Sequence, residues 1–423
     1  MTNRSRALLT TIASTTNPTF SNGFAFPHIT DNGRVTFSGY GSTSSEEIAS
    51  YSLSSGRLSS LVKATSGAKH GYTSFGAPSS AGSHTAFLGL SAATTGIYVY
   101  TEGAATPLKM VAENGKAGLA DLDFPSVDAA GHVAFQATRA GVAGIFAAVW
   151  QASSPGGPIV QVYNASQSLP GSHGEKMVCL SNPSINNAVV AFFGSSCNGA
   201  SSSPNMALRE REKMYRTRRV SEHALHDEAA NLDAGIFLAD LESDLAVARR
   251  TPSSTTTAIG ASKLVTVANF QTAVPGAASG VFFTAFSDPS VSDALVAFVG
   301  STSAGELGVY SYDIATRQLS RVVDTTTSVP GGADGTFSDF PYIPSVVGQV
   351  CVFYAAAGGS ASGIYAKKSA TGSLSALVTM ADNAPSGKAF SFIGTSGRAS
   401  DGTVATFYGV VGSSNGIYTV GFA

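Results

Sequence analysis

PSVSDALVAFVGSTSAGELGVYSYDIATRQLSRVVD, residues 289–324, holds four short apolar runs separated by turn-forming residues. They are Pro-Ser-Val, Val-Ala-Phe, Gly-Val-Tyr and a Leu-x-x-Val run. The second run recurs at Phe37, Phe87, Phe135, Phe192, Phe298, Phe353 and Phe407. The third follows at Gly96-Ile97-Tyr98, Gly144-Ile145-Phe146, Gly235-Ile236-Phe237, Gly308-Val309-Tyr310, Gly363-Ile364-Tyr365 and Gly416-Ile417-Tyr418, with Glu47-Ile48-Ala49 as a degenerate copy. A proline stands upstream of the Phe at Pro27, Pro78, Pro125, Pro183, Pro289 and Pro344. Repeats of this length mark propellers and solenoids. Within each run apolar side chains alternate, as Ile97 and Val99 do against Tyr98 and Tyr100, which is the period of a strand. Each copy therefore reads as four antiparallel strands, A to D, and radially repeated four-stranded sheets make a β-propeller.

The ends of the chain argue for a closed ring. The seventh copy stops after Tyr418-Thr419-Val420 without a fourth strand, and the N-terminus begins with one. RALLTTIASTTNP (6–18) parallels RQLSRVVDTTTSVP (317–330). A strand donated from the N-terminus to the last blade covers edges that would otherwise be open. The expectation is an all-β, seven-bladed propeller forming a single domain over 1–423. A β-solenoid is the competing reading, and it has no need of complementary ends.

Hydrophobic residues make up 43% of the chain, charged residues 12%, and the net charge is −2. That balance carries no signature of nucleic-acid binding, and no apolar run approaches the roughly 18 residues of a membrane span. MTNRSRALLTTIAS has no signal-peptide core of the expected length, which reads as either a cytoplasmic chain or a mature or incomplete sequence, while abundant Ser, Thr and Gly with little Lys lean towards an extracellular setting. Cys351 reads as a small buried apolar residue. Cys179 and Cys197 flank strands A and B of blade four at one end of a hairpin, so they form a disulfide candidate, with two free thiols as the alternative.

Blade four carries two insertions. The first is 196–234, and 42 residues separate Phe192 from Gly235 where eight or nine separate the two runs in the other copies. Its centre is rich in helix formers, so a helix is expected there. Arg209, Arg211, Lys213, Arg216, Arg218 and Arg219 precede His223, His226 and four carboxylates. The second, 241–261, contains a Ser/Thr run and reads as a flexible loop.

Alternating strand direction puts the D-to-A and B-to-C loops on one face, here the top. His70, Tyr72, Arg139, His173 and Lys176 fall there. As a base, an acid and cations they could abstract a proton beside a carboxylate, although they are spread over three blades and also read as solvated loop residues. Arg216, Arg218, Arg219, His223 and His226 are the candidate binding residues, against a self-compensated exposed helix. The His223/His226 pair lacks a third defined ligand, so no metal site and no cofactor is expected. The aromatic series at 98, 146, 237, 310, 365 and 418 reads as blade packing rather than a sugar-stacking ring.

VVDTTTSVPGGADGTFSDFPYIPSVVGQVCVFYAAAGGSASGIYAK (322–367) resembles the repeat of exported bacterial β-propeller proteins of uncharacterised function. Val-Pro-Gly-Gly, Phe-x-x-Phe, Pro-Ser-Val and Gly-Ile-Tyr carry the likeness. It implies the fold and export, and it implies no activity. The expected function is a non-enzymatic binding or scaffold propeller with a glycan or protein ligand on the top face. The alternative is a carbohydrate-active enzyme, a lyase of acidic polysaccharide.

Overall fold

The computed structural model describes residues 9–41, 46–64, 71–149, 159–170, 174, 176–196, 225–226, 233–250, 257–258, 264–330, 335–368 and 372–422. Its strands form seven sheets, one per repeat. Blades one to six occupy 23–63, 72–113, 119–164, 179–269, 283–324 and 337–379. The seventh combines Phe392–Gly394, Val404–Val411 and Ser414–Gly421 with Leu9–Ser14, which lies antiparallel to Ser414–Gly421 with Leu9 opposite Val420. Among the described residues no helix is long and apolar enough to cross a membrane.

Blade five shows the common plan. Its inner strand A comes in two pieces, Phe283–Ser287 and Ser290–Val291, both paired to strand B, Leu295–Thr302. Pro289 sits at the break, where a residue without an N–H interrupts a ladder at least cost. Strands C, Leu307–Asp313, and D, Gln318–Asp324, follow outward.

The repeated serine of Pro-Ser-Val joins neighbouring blades. Ser79 Oγ accepts from the backbone N–H of Val127 on the next blade at 3.2 Å. Ser126 accepts likewise from Ile185, Ser184 from Val291 and Ser345 from Ala399. Blade seven reaches blade one through a backbone carbonyl, Ile29 N–H to Arg398 O at 3.1 Å. These hydrogen bonds link blades two to five and blades six, seven and one in an interrupted girdle along the inner strands. Ser290 is the exception and its Oγ has no partner.

The paired apolar residues of strand D have a cause in backbone register. In all seven blades the C–D ladder slips by one residue after the Ile or Val of the third run. The residue skipped is Ile12, Leu61, Val111, Val162, Val267, Val322 or Leu377. A bulge breaks the two-residue period and turns consecutive side chains to one side. Val322 and Val323 are both buried as a result, and so are Val162 and Tyr163. The glycine of Gly-Ile-Tyr lies against this bulge. A Cβ on Gly144 would stand 2.7 Å from Tyr163 O, and one on Gly308 2.9 Å from Val323 O. In blade one Glu47 replaces the glycine, is nearly buried, and holds Lys63 Nζ at 3.1 Å.

The aromatic series packs the blades, as the sequence reading favoured. Phe298 and Tyr310 stack at 5.9 Å, and Phe283 meets Tyr310 edge-on at 4.8 Å. Blades two, six and seven repeat both contacts.

In blade four the helix expected within 196–234 falls almost wholly outside the described residues. Leu225–His226 is a strand, and Ala234 begins strand C, while 197–224 and 227–232 lie outside the described residues. A helix does form in the second insertion, expected as a flexible loop. It is α1, Glu242–Arg250. Asp240 Oδ1 accepts from Glu242 N–H at 3.0 Å, and Glu242 and Asp244 sit in the first turn, where the helix dipole favours carboxylates. Leu241 and Leu245 are buried among Ile145, Val160 and Val162 of blade three. Thr257–Ala258 then adds a parallel strand to the outer edge of blade three.

Candidate functional site: the axial channel

Two blades depart from serine at the girdle position, and they are neighbours. Blade one has His28, on its inner strand Gly23–Ile29, and blade seven has Arg398, in the turn that follows its inner strand Phe392–Gly394. Their backbones are tied together, since Ser396 Oγ donates to Pro27 O at 2.6 Å and Ile29 N–H to Arg398 O. Both side chains are half-buried.

Arg398 crosses the axis. Its Nη1 donates to Val127 O at 2.5 Å and Ser80 O at 3.4 Å, and its Nη2 to Ser126 Oγ at 3.3 Å and to Ile185 O. Those acceptors belong to blades two, three and four, and blades three and four stand opposite blade seven in a ring of seven. The terminal guanidinium donors are thereby committed to the protein. Burial pulls the Arg398 pKa down to about 10, with Asp128 opposing the shift, so the group stays charged at neutral pH. Burial, with Arg398 beside it, pushes His28 down to about 3, so the imidazole is neutral. Its Nδ1 has no hydrogen-bond partner. The lower half of the channel is therefore floored by a charged side chain.

The lower rim near this floor is stapled between blades. Arg34 Nη1 of blade one meets Glu102 Oε2 of blade two at 3.2 Å, and Arg34 Nη2 donates to His84 O and Thr85 Oγ1. Asp128 of blade three is fully buried. It holds His132 Nδ1 at 2.8 Å and accepts from Ala188 N–H of blade four at 3.0 Å. Burial works against its charge, but the His132 hydrogen bond and charge and the backbone donors outweigh it and keep the carboxyl below its ordinary range.

The upper mouth differs from blade to blade. Just ahead of strand A, Lys176, Phe282, Thr336 and Ala389 occupy equivalent rim positions, each bridged back to its own D-to-A loop. One step inside, in blades two and four to seven, stand Thr73, Val178, Thr284, Ser338 and Ser391, all exposed. Phe282 is 40% exposed and Val178 44%, so blade four puts apolar surface where the equivalent positions carry hydroxyls, and blade five puts a phenyl ring where they carry Lys176, Thr336 and Ala389. Further along the same inner strand, Leu225–His226 pairs antiparallel with Phe283–Ser287, Leu225 opposite Ser287 and His226 opposite Phe286. The pairing is on the channel side of blade five's inner strand.

Of the sequence-derived set, the described residues place Tyr72, Arg139 and Lys176, one each on blades two, three and four. Tyr72 is in the inner strand of blade two, edge-on to Tyr98 at 5.1 Å and against Phe87, where burial raises its pKa. Arg139 ends strand B of blade three, opposite Val142. Lys176 is exposed on the blade-four rim. His70, His173, Arg216, Arg218, Arg219, His223 and Cys197 lie outside the described residues. His226 is placed by its backbone in the added strand. Cys179, in the inner strand of blade four opposite Ser195, is disulfide-bonded, and Cys351 is free and buried, its thiol pushed up to about 12 by burial. Among the described residues no group of three or more His, Cys, Asp or Glu could hold a metal ion. Sequence reading missed His28 and Arg398. The signal that marks them is the loss of serine at a repeated position.

A family model, described as Family of unknown function (DUF7453), matches residues 13–239, more than half of the chain. No curated protein matches it. Among solved structures the chain is similar to an oligogalacturonate lyase in complex with manganese, at 10% identity over 99% of this chain and 93% of that one, with a TM-score of 0.48. It is also similar to the β-propeller domain of the Trilobed protease from Pyrococcus furiosus, at 8% identity over 94% and 95%, TM-score 0.48. For TolB from Acinetobacter baumannii the figures are 11% identity and a TM-score of 0.39. The match covers 83% of this chain and spans 62% of TolB, less than two thirds of it. At such identities no activity passes from these proteins to this chain.

Proposed function

The chain belongs to this family of unknown function, and we propose that it is a non-enzymatic binding or scaffold propeller taking a glycan or protein ligand on its top face. One observation carries the reading. The channel is floored by Arg398, and its open end bears exposed apolar surface at Val178 and Phe282. Exposed apolar side chains concentrated at a rim mark interaction surfaces. The disulfide at Cys179 supports an oxidising, extracellular setting.

Glycan and peptide arrays probed with the wild type and with a Val178→Asp, Phe282→Asp double variant test the reading. A specific hit that the double variant loses is the expected result. The opposite result is no hit together with turnover of a uronate polymer, seen as new ultraviolet absorbance from unsaturated ends. That outcome would replace the binding reading with a polysaccharide lyase.

A further inference from the structure

Blade five is, among the described residues, the one blade whose inner strand carries another strand on its channel side. An inner-strand edge presents backbone N–H and C=O groups to the channel mouth, and an unpaired edge is a template for any extended segment. Leu225–His226 uses that template with two antiparallel pairs. A ladder this short is held by few hydrogen bonds, so a longer strand can displace it. Phe282, four residues before the paired Phe286, and Val178 on blade four are exposed further along towards the upper mouth, where a longer strand on this edge would reach. Backbone pairing with flanking apolar contacts is how strand-addition sites bind peptides: the main chain gives affinity and pockets for alternate side chains give specificity.

We propose that the channel-facing edge of Phe283–Ser287 is a strand-addition site for an extended, proline-free peptide carrying apolar side chains, which Leu225–His226 occupies in the free protein. The proposal rests on the top-face binding reading and narrows its ligand to a peptide. Phe282 and Val178 contact the peptide's apolar side chains, and the Phe283–Ser287 backbone sets its antiparallel direction.

The test uses the full chain and a labelled synthetic peptide of residues 221–230, SEHALHDEAA. Replacing Leu225 and His226 by proline removes both N–H donors and frees the edge. The peptide should bind this double variant at least roughly tenfold more tightly than the wild type, because a site filled most of the time by its own chain shows an apparent affinity reduced by the free fraction. N-methylation of the peptide's Leu and His should abolish binding, and adding Phe282→Asp to the double variant should weaken it. Equal binding by wild type and variant, no binding to the variant, or undiminished binding of the N-methylated peptide overturns the proposal. If the prolines disturb the fold, the wild type still decides. Excess peptide should speed exchange of whichever of the 225 and 226 amides donates to the edge, since consecutive strand amides point to opposite sides, while the N-methylated peptide does not, and unchanged exchange at both overturns the proposal. A glycan-array hit lost in the Val178/Phe282 variant would keep the top-face reading standing even if the peptide fails.

Discussion

Single residues in this fold are explained by partners far away in the chain. The serine of Pro-Ser-Val is visible in the sequence as a repeated letter, but its use is not, because its partner N–H lies 48 to 107 residues later. The glycine of Gly-Ile-Tyr is likewise legible as a motif, while its cause is a carbonyl on strand D that only the bulge brings close. Gly144→Ala should cost roughly 1–3 kcal/mol, the range for forcing an extra carbon into a packed site. A fall in the urea midpoint at unchanged slope would show it. His28 makes a second prediction. Its pKa is about 3 in the fold against an ordinary 6.5, so the unfolded chain takes up a proton that the native state refuses. The native state is favoured fully above pH 6.5, and that advantage is lost as pH falls from 6.5 towards 3, by at most about 1.4 kcal/mol per pH unit. His28→Ser installs the girdle residue of the other blades and removes the titrating group. Urea unfolding between about pH 7 and about pH 4 should therefore be less acid-sensitive in the variant, and an unaltered profile would place the titration elsewhere.

Elements were legible where alternation repeats and illegible where one copy departs. Strands B and C can be read from any blade. The insertions belong to blade four alone, so local propensity was the only guide. Leu225–His226 pairs as a strand on an inner-strand edge, and the helix expected around it falls on residues outside those described. Helix α1 was hidden by the Thr-rich run after it, although Asp240 as cap, Glu242 and Asp244 in the first turn and Leu241/Leu245 at helical spacing all announce it. Leu245 is 1% exposed. Leu245→Ala should cost about 2–4 kcal/mol and should loosen blade three, which supplies the surface beneath it, as amide exchange on Ile159–Asn164 would report. The disulfide of Cys179 gives an element-scale test of a different kind. We expect the bond to run to Cys197, tying the tops of strands A and B where the first insertion departs. Alkylation of the intact, denatured protein should then modify Cys351 alone, and all three cysteines only after reduction. Labelling of all three without reductant would rule the bridge out.

At the scale of the whole molecule the number of blades and the donated strand could be read from repeats and chain ends, because both are properties of pattern. The second fastening could not. Arg398 stands in a stretch, 395-TSGRAS-400, where the blade motif has decayed, and only the ring places its guanidinium against blades two, three and four. The seam between blades seven and one is thus held twice. Leu9–Ser14 holds it from the outside, and Arg398 holds it across the axis. A ring opens at its weakest seam, and opening this one requires both fastenings to release. Removing residues 1–14 and replacing Arg398 by Met are therefore expected to be more damaging together than their separate costs imply. Arg398→Met alone leaves three buried carbonyls without their donor, for roughly 3 kcal/mol. Lys in its place should recover little, since one ammonium cannot span the forked acceptors. In a double-mutant cycle read by urea unfolding, the coupling should be about 1–3 kcal/mol in the destabilising direction. Accelerated exchange at the Ile29 and Ala399 amides, which bond to Arg398 O and Ser345 Oγ, should accompany it. Additive costs would mean that the two fastenings guard different openings, and that Arg398 serves the floor of the channel and not the closure of the ring.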